Sequence, residues 1–341
     1  MSPVAPVTIA AVQATPVFLD REATVARVCG LVGEAAAAGA GLVVFGEAFV
    51  PGYPDWVWRT RPWSQEATAL FARLQDQAVV VGGPATDAVG AAASAAGVHV
   101  AVGVNERDLH GSTLYNTLLL FGPDGTVVHR HRKLMATGGE RLVWGTGDGS
   151  TLQAADTPFG RVGGLICWEN YMPLARAALY AQGVDILLAP TWDTSEVWVP
   201  TLRHIAKEGR VHVIGVAPLL RGSDLPGDVP GRDDLWGGKQ DWMSRGLSTI
   251  VAPDGSVLAG PLAEEEGILL ATVDATVGRV ARQQFDPCGH YARPDVLRLQ
   301  VDTRAHRSVT ALATGPRPQA VPVGVASTGD PTLEEETDGH P

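Results

Sequence analysis

An α/β layered fold with mixed sheets is the architecture this chain predicts, on three observations. Short apolar runs alternate with helical periodicity along most of the sequence, two Pro-Asp-Gly turns separate strand pairs, and 45% of the 341 residues are hydrophobic against 18% charged. Strands alternating with helices require helices packed on sheet faces. Hairpins at Pro123-Asp124-Gly125 and Pro253-Asp254-Gly255 put antiparallel neighbours into sheets that would otherwise be parallel. A chain of this length can bury a large core.

The elements follow in order. A strand over 7–12 comes first, then an Ala-rich helix over 22–38 and a strand over 42–45. A helix at 65–77 precedes strands at 98–104, 115–121 and 126–131, the last two forming the first hairpin. Glycines and branched residues over 161–166 suit a buried strand, followed by a helix over 174–182. A strand at 185–189, a helix at 202–208 and a strand at 211–216 continue the alternation. The second hairpin pairs 248–251 with 257–258, and a strand at 268–273 closes the pattern.

Two segments break this order. Residues 221–246 are rich in Gly, Pro, Asp and Trp and read as a long excursion without periodicity; such loops usually carry function or contact a partner. From about residue 310 the chain is rich in Pro, Thr and Gly and ends near Glu334-Glu335-Glu336, the composition of a disordered acidic tail. The expected organisation is one domain over 1–308 and a tail over 309–341.

Bulk properties exclude several classes. A net charge of −11 argues against nucleic acid or an anionic membrane as partner. No apolar stretch approaches the ~20 residues of a membrane span, and no Lys or Arg precedes Arg21 to make the basic start of a signal peptide. Three cysteines without a C-x-x-C pair fit a reducing cytoplasm better than a disulfide framework.

The chemistry gathers where strands end. Cys167 closes the run Gly163-Gly164-Leu165-Ile166, Glu47 follows Leu42-Val43-Val44-Phe45-Gly46, and Lys133 follows Val127 to Arg132. A cysteine at a strand-to-helix junction faces free N–H groups and the positive end of a helix dipole, which favours a thiolate. A carboxylate ending a buried strand must be paired, protonated or functional. An ion pair with Lys133 is the structural alternative for Glu47, and both readings hold in part. Glu140, in Thr137-Gly138-Gly139-Glu140-Arg141, reads on its own as a solvated loop charge, with Arg141 as a simple ion-pair partner. His129 and His131 share a strand face with Lys133, a spacing that invites a metal, but no third ligand stands out and Arg130 and Arg132 suggest a solvated basic edge. Cys29 belongs to the first helix's apolar stripe and Cys288 to a loop, where packing explains both. Together Cys167, Glu47 and Lys133 allow a thiolate to attack a carbon bonded to nitrogen. Glu47 takes the proton, and Lys133 and the Trp168 backbone N–H stabilise the developing charge.

Four segments carry a resemblance: 45–54 (FGEAFVPGYP), 131–141 (HRKLMATGGER), 167–176 (CWENYMPLAR) and 289–295 (GHYARPD). In that order, over about residues 7–297, they make the chain similar to the nitrilase superfamily, and within it to the nitrilase branch. The resemblance implies a four-layer α-β-β-α sandwich pairing into an α-β-β-α-α-β-β-α dimer, with larger or spiral assemblies. It implies Glu47, Lys133 and Cys167 as a catalytic triad, Glu140 as an accessory glutamate, and no cofactor or metal. The implied reaction converts an organic nitrile, aromatic or arylaliphatic among them, to carboxylic acid and ammonia through a thioimidate and a thioester. Tyr53, Trp168 and Trp192 are expected to wall the pocket, and Trp198 to fill core or dimer interface. A second reading keeps the fold and changes the electrophile to cyanide or an amide. A third, an inactive scaffold, predicts loss of a triad residue, and all three are present.

Overall fold

Both faces of the central strands are apolar, so each sheet must be covered twice. In the first strand Ile9 and Ala11 point to one side and Ala10 and Val12 to the other, all four fully buried. The computed structural model describes residues 4–237 and 242–306. Its elements begin β1 (Val7–Gln13), α1 (Arg21–Ala37), β2 (Leu42–Val44), α2 (Gln65–Gln77), α3 (Pro84–Ala96), β3 (His99–Arg107), β4 (Leu114–Phe121) and β5 (Val127–Arg132). The second half holds β6 (Ala155–Thr157), β7 (Gly160–Gly164), α4 (Pro173–Ala181), β8 (Ile186–Pro190), α5 (Trp198–Gly209) and β9 (His212–Val216). Then come β10 (Leu219–Arg221), α6 (Arg232–Trp236), β11 (Trp242–Val251), β12 (Val257–Ala263), β13 (Gly267–Val273) and α7 (Ala275–Ala281).

Two mixed sheets result. One has the order β13-β1-β2-β3-β4-β5; the other runs β10-β11-β9-β8-β7-β6, with β12 paired to β11. The pairs β1–β2, β2–β3, β7–β8 and β8–β9 are parallel and the hairpin pairs antiparallel, as the alternation and the Pro-Asp-Gly turns predict. Between the sheets lies a core of Ile9, Leu42, Leu118, Ile186, Leu188 and Ile214. The outer face of the first sheet packs on α1 and α3 through Val28, Val32, Val89 and Ala93. The outer face of the second packs on α4 and α5 through Leu179, Leu202 and Ile205. These are the four layers of an α-β-β-α sandwich.

Local chemistry explains the boundaries. The Asp20 side chain accepts the Ala23 N–H and starts α1. Helix α5 buries Trp198, Leu202, Ile205, Ala206 and Gly209, one stripe at helical spacing, so Trp198 fills the core. Among the described residues no helix is long and apolar enough to cross a membrane.

Several expectations need correction. Helix α3 was not expected: its small residues make a weak stripe, though Pro84 in the first turn and Gly97 as a left-handed cap at φ 65° mark its ends. Strands β6 and β10 and helix α7 are also additions, all short. The excursion over 221–246 is not wholly aperiodic. It contains α6, and β11 begins at Trp242 because that strand is paired along its length with β9, β10 and β12. The expected tail over 309–341 lies outside the described residues.

Candidate active site

The carboxyl ends of β2, β5, β7 and β8 converge, and the charged residues sit just beyond them, where parallel strands end and helices turn back. Glu47 follows β2 on a tight turn. Ala48 takes a left-handed φ of 47°, and Gly103 of β3 lies so close that a Cβ there would stand 2.3 Å from the Gly46 carbonyl oxygen. Lys133 follows β5, and its backbone is held by Asn116 O at 2.8 Å. Glu140 lies in a short 3-10 helix, Gly138–Leu142. Cys167 opens another, Cys167–Tyr171, with a strained φ of 54°, and α4 starts only at Pro173.

These side chains form one buried cluster. Lys133 Nζ donates to Glu47 Oε1 and to Glu140 Oε2, both at 2.8 Å, and all three residues are at most 1% exposed. Asn116 Nδ2 donates to the same Glu47 oxygen at 2.7 Å. Glu47 Oε2 is buried with no protein partner among the described residues. Glu140 also accepts the Thr137 N–H at 2.7 Å and the Tyr53 hydroxyl at 2.7 Å. Cys167 is 4% exposed and accepts a hydrogen bond from Thr191 Oγ1 at 3.2 Å.

Electrostatics follow from the burial. Loss of water would lower the Lys133 pKa, but the Glu47 and Glu140 carboxylates around it outweigh that and hold it above its usual value, so it is an ammonium. Burial pushes the Glu47 carboxyl up, Lys133 pulling against it and Glu140 pushing with it. The same desolvation, reinforced by Glu47, drives the Cys167 thiol well above its usual value despite Lys133. The expected thiolate is therefore corrected: a resting Cys167 is a thiol, because the cost of burying charge exceeds what one ammonium and a single short helix turn return.

Other expectations change too. Glu140 is not a solvated loop charge, and the Arg141 Nε donates to the Ala136 carbonyl rather than pairing with Glu140. Arg130 and Arg132 do not make a solvated edge; both pair with the buried Glu106 carboxylate, and Arg132 lies 3.6 Å over the Tyr115 ring. His131 is committed to Thr151 and Glu169. Tyr53 is buried with its ring stacked on Trp192 at 4.4 Å, and Trp58 Nε1 donates to its hydroxyl at 3.2 Å. Trp168 is 51% exposed, with its indole N–H donating to Asp193 at 2.9 Å. Sequence reading missed Asn116, Thr191 and Glu169. A polar Asn-Thr pair inside the apolar strand 115–121 was the available signal for Asn116; Thr191 had none.

Residues 8–282 match the family model described as carbon-nitrogen hydrolase. The chain is 44% identical to the aliphatic nitrilase of Sinorhizobium fredii, over 89% of this chain and 98% of that protein. It is 41% identical to the bifunctional nitrilase/nitrile hydratase NIT4B of Nicotiana tabacum, over 91% of this chain and 90% of that one. Its fold is similar to the crystal structure of Saccharomyces cerevisiae Nit3, a member of branch 10 of the nitrilase superfamily. The TM-score is 0.66 at 20% identity, over 84% of this chain and 96% of that chain.

Proposed function

The chain belongs to the carbon-nitrogen hydrolase family, and on that premise we propose that it is a nitrilase converting organic nitriles to carboxylic acids and ammonia on Cys167. The observation that carries this reading is the buried Glu47–Lys133–Glu140 ion cluster beside the Cys167 thiol, with one Glu47 oxygen left without a protein partner among the described residues.

The Cys167 Sγ attacks the nitrile carbon as its proton passes to Glu47 Oε2, the oxygen free to accept it. The new C–S bond is made at the expense of one C–N π bond. The nitrogen takes the proton, and the product is a thioimidate. Lys133 and the Trp168 backbone N–H face the charge that builds on nitrogen, and later on oxygen. Glu47 then takes a proton from a first water, which adds to the thioimidate carbon; the C–N bond breaks and ammonia leaves a thioester. A second water, activated in the same way, breaks the C–S bond, releases the acid and restores the thiol. The sum is one nitrile and two waters giving one acid and one ammonia. Glu140, which holds both Lys133 and Tyr53, fixes the ammonium's position. If the tetrahedral adduct loses sulfur instead of nitrogen, the product is an amide. The Nicotiana tabacum relative, whose name includes nitrile hydratase, supports testing for it.

Tyr53, Trp168 and Trp192 are assigned to substrate contact, with Trp168 at the exposed rim. The three cysteines are all free thiols, in keeping with a cytoplasmic protein, and the expected assembly is a homodimer that extends to larger homo-oligomers. A panel of aliphatic, aromatic and arylaliphatic nitriles, cyanide and matching amides, with ammonia, acid and amide measured together, tests the reading. Turnover of nitriles with Cys167-dependent ammonia release supports it; turnover confined to amides or to cyanide overturns it.

A further inference from the structure

Two residues beyond the nucleophile, Glu169 is a buried carboxylate to which the reaction above gives no work. It accepts from three donors. Its Oε2 takes the Ile166 N–H at 2.6 Å and its Oε1 takes the Leu134 N–H at 2.6 Å. The His131 ring nitrogen Nε2 lies 3.2 and 3.1 Å from the two oxygens. The other ring nitrogen, Nδ1, faces the Thr151 carbonyl at 3.2 Å. Both partners of this imidazole are acceptors, so both its nitrogens must carry protons, and the ring is a cation paired with an anion at zero exposure.

The partners' places in the chain matter more than their number. Ile166 immediately precedes Cys167 and lies just beyond β7 of the second sheet. Leu134 immediately follows Lys133, and His131 lies two before it on β5 of the first sheet. One carboxylate thus ties the segment bearing the nucleophile to the segment bearing the ammonium, across the interface between the sheets. A simple helix cap would need only the Ile166 contact.

We propose that Glu169 is a positioning residue for the reaction, setting the distance between Cys167 and Lys133 by pinning the amides beside them to one point, with the His131 cation holding that point in place. The proposal rests on the reading of Cys167 as nucleophile and Lys133 as charge stabiliser. A carboxamide can accept only one of the two backbone N–H groups and would present its NH₂ to the other, so Glu169→Gln frees one segment while keeping shape and volume.

The test measures steady-state kinetics on the best nitrile of the panel, thermal unfolding, and the rate at which iodoacetamide alkylates Cys167, read by peptide mass with Cys29 as internal control. Glu169→Gln is expected to lower kcat about 100-fold with KM within about threefold, the scale on which small misplacements of reacting groups act. Cys167 alkylation is expected to slow by about tenfold or more with Cys29 unchanged, as a thiol that has lost its aligned ammonium would behave. Glu169→Gln with kcat and Cys167 alkylation within threefold of wild type overturns the proposal, as does a loss that only tracks the unfolded fraction. His131→Gln, which keeps one donor toward Glu169, serves if Glu169→Gln does not fold. A fall in its kcat of about tenfold at constant KM supports the proposal, and an unchanged kcat overturns it. The alkylation readout needs no turnover, so a wild-type enzyme inert toward nitriles would sink the functional reading and leave this one to be decided by Cys167 reactivity.

Discussion

Cys167, at the strand ends, and Cys29, on the α1 face that meets α3, make an instructive pair. Burial raises both thiols above their usual pKa. The Cys29 Sγ lies 3.6 Å from the Ala88 carbonyl, against Val28, Ala85 and Ala88, and no charged group is hydrogen-bonded to it among the described residues. Around Cys167 stand Glu47, Lys133 and Glu140, an ammonium held between two carboxylates. Desolvation alone therefore makes an inert thiol. The same desolvation beside a carboxylate with an uncommitted oxygen makes a thiol whose proton has somewhere to go. The imidazoles repeat the contrast. His131, between Glu169 and Thr151, is raised even though burial by itself would lower it. His212, also buried, has no partner for Nδ1 among the described residues, and burial takes it down to about 4.

The largest effect expected is at the nucleophile. Cys167→Ala should lower turnover by about 10⁵-fold or more, while Cys29→Ala stays within about twofold, measured as ammonia release. Comparable losses in the two variants would break the contrast. Next comes the proton acceptor: Glu47→Gln keeps the Lys133 contact but cannot take the thiol proton, and should cost roughly 10³-fold in kcat. A wild-type rate would remove the base. Tyr53→Phe removes one of the donors to Glu140 and should cost about tenfold, a charge-assisted hydrogen bond's share, with KM changed less than kcat. A pure KM effect would leave Tyr53 as a substrate contact alone, with no part in holding Glu140.

The smallest effect sharpens the comparison of imidazoles. A histidine whose folded pKa is depressed contributes stability above its unfolded value, lost as pH falls toward the folded one. For His129 and His212 that window runs from about 6.5 down to about 4. Wild type should therefore lose more stability than His212→Asn between pH 7 and pH 4.5, by about 2 kcal/mol, in denaturant titrations at both pH values. His131 has the opposite sign: its raised pKa gives stability that is full below its unfolded value of about 6.5 and lost as pH rises through the folded one. Equal losses in wild type and His212→Asn would deny that His212 charges within this window.

Much of this molecule was open to inspection as text. The alternation of apolar strands and periodic helices, the Pro-Asp-Gly hairpins and the chemistry-bearing residues at strand ends are local patterns; they pointed to an α/β fold with mixed sheets and brought Glu47, Lys133 and Cys167 to notice, while the four-layer order came from the family resemblance. What they left undecided was everything that depends on neighbours distant in sequence. Glu140 reads as a surface charge until Lys133, Tyr53 and the Thr137 amide close around it. Cys167 reads as a thiolate until the surrounding strands take its water away. Glu169 reads as a motif letter until the Leu134 amide and His131 arrive from the other sheet. Helix α3 went unseen because its face is made of small residues that only packing against α1 and the sheet makes apolar. Periodicity is a property of the chain and survives in its letters. Solvation and charge pairing are properties of the space around an atom, and only the folded packing of the two sheets creates that space.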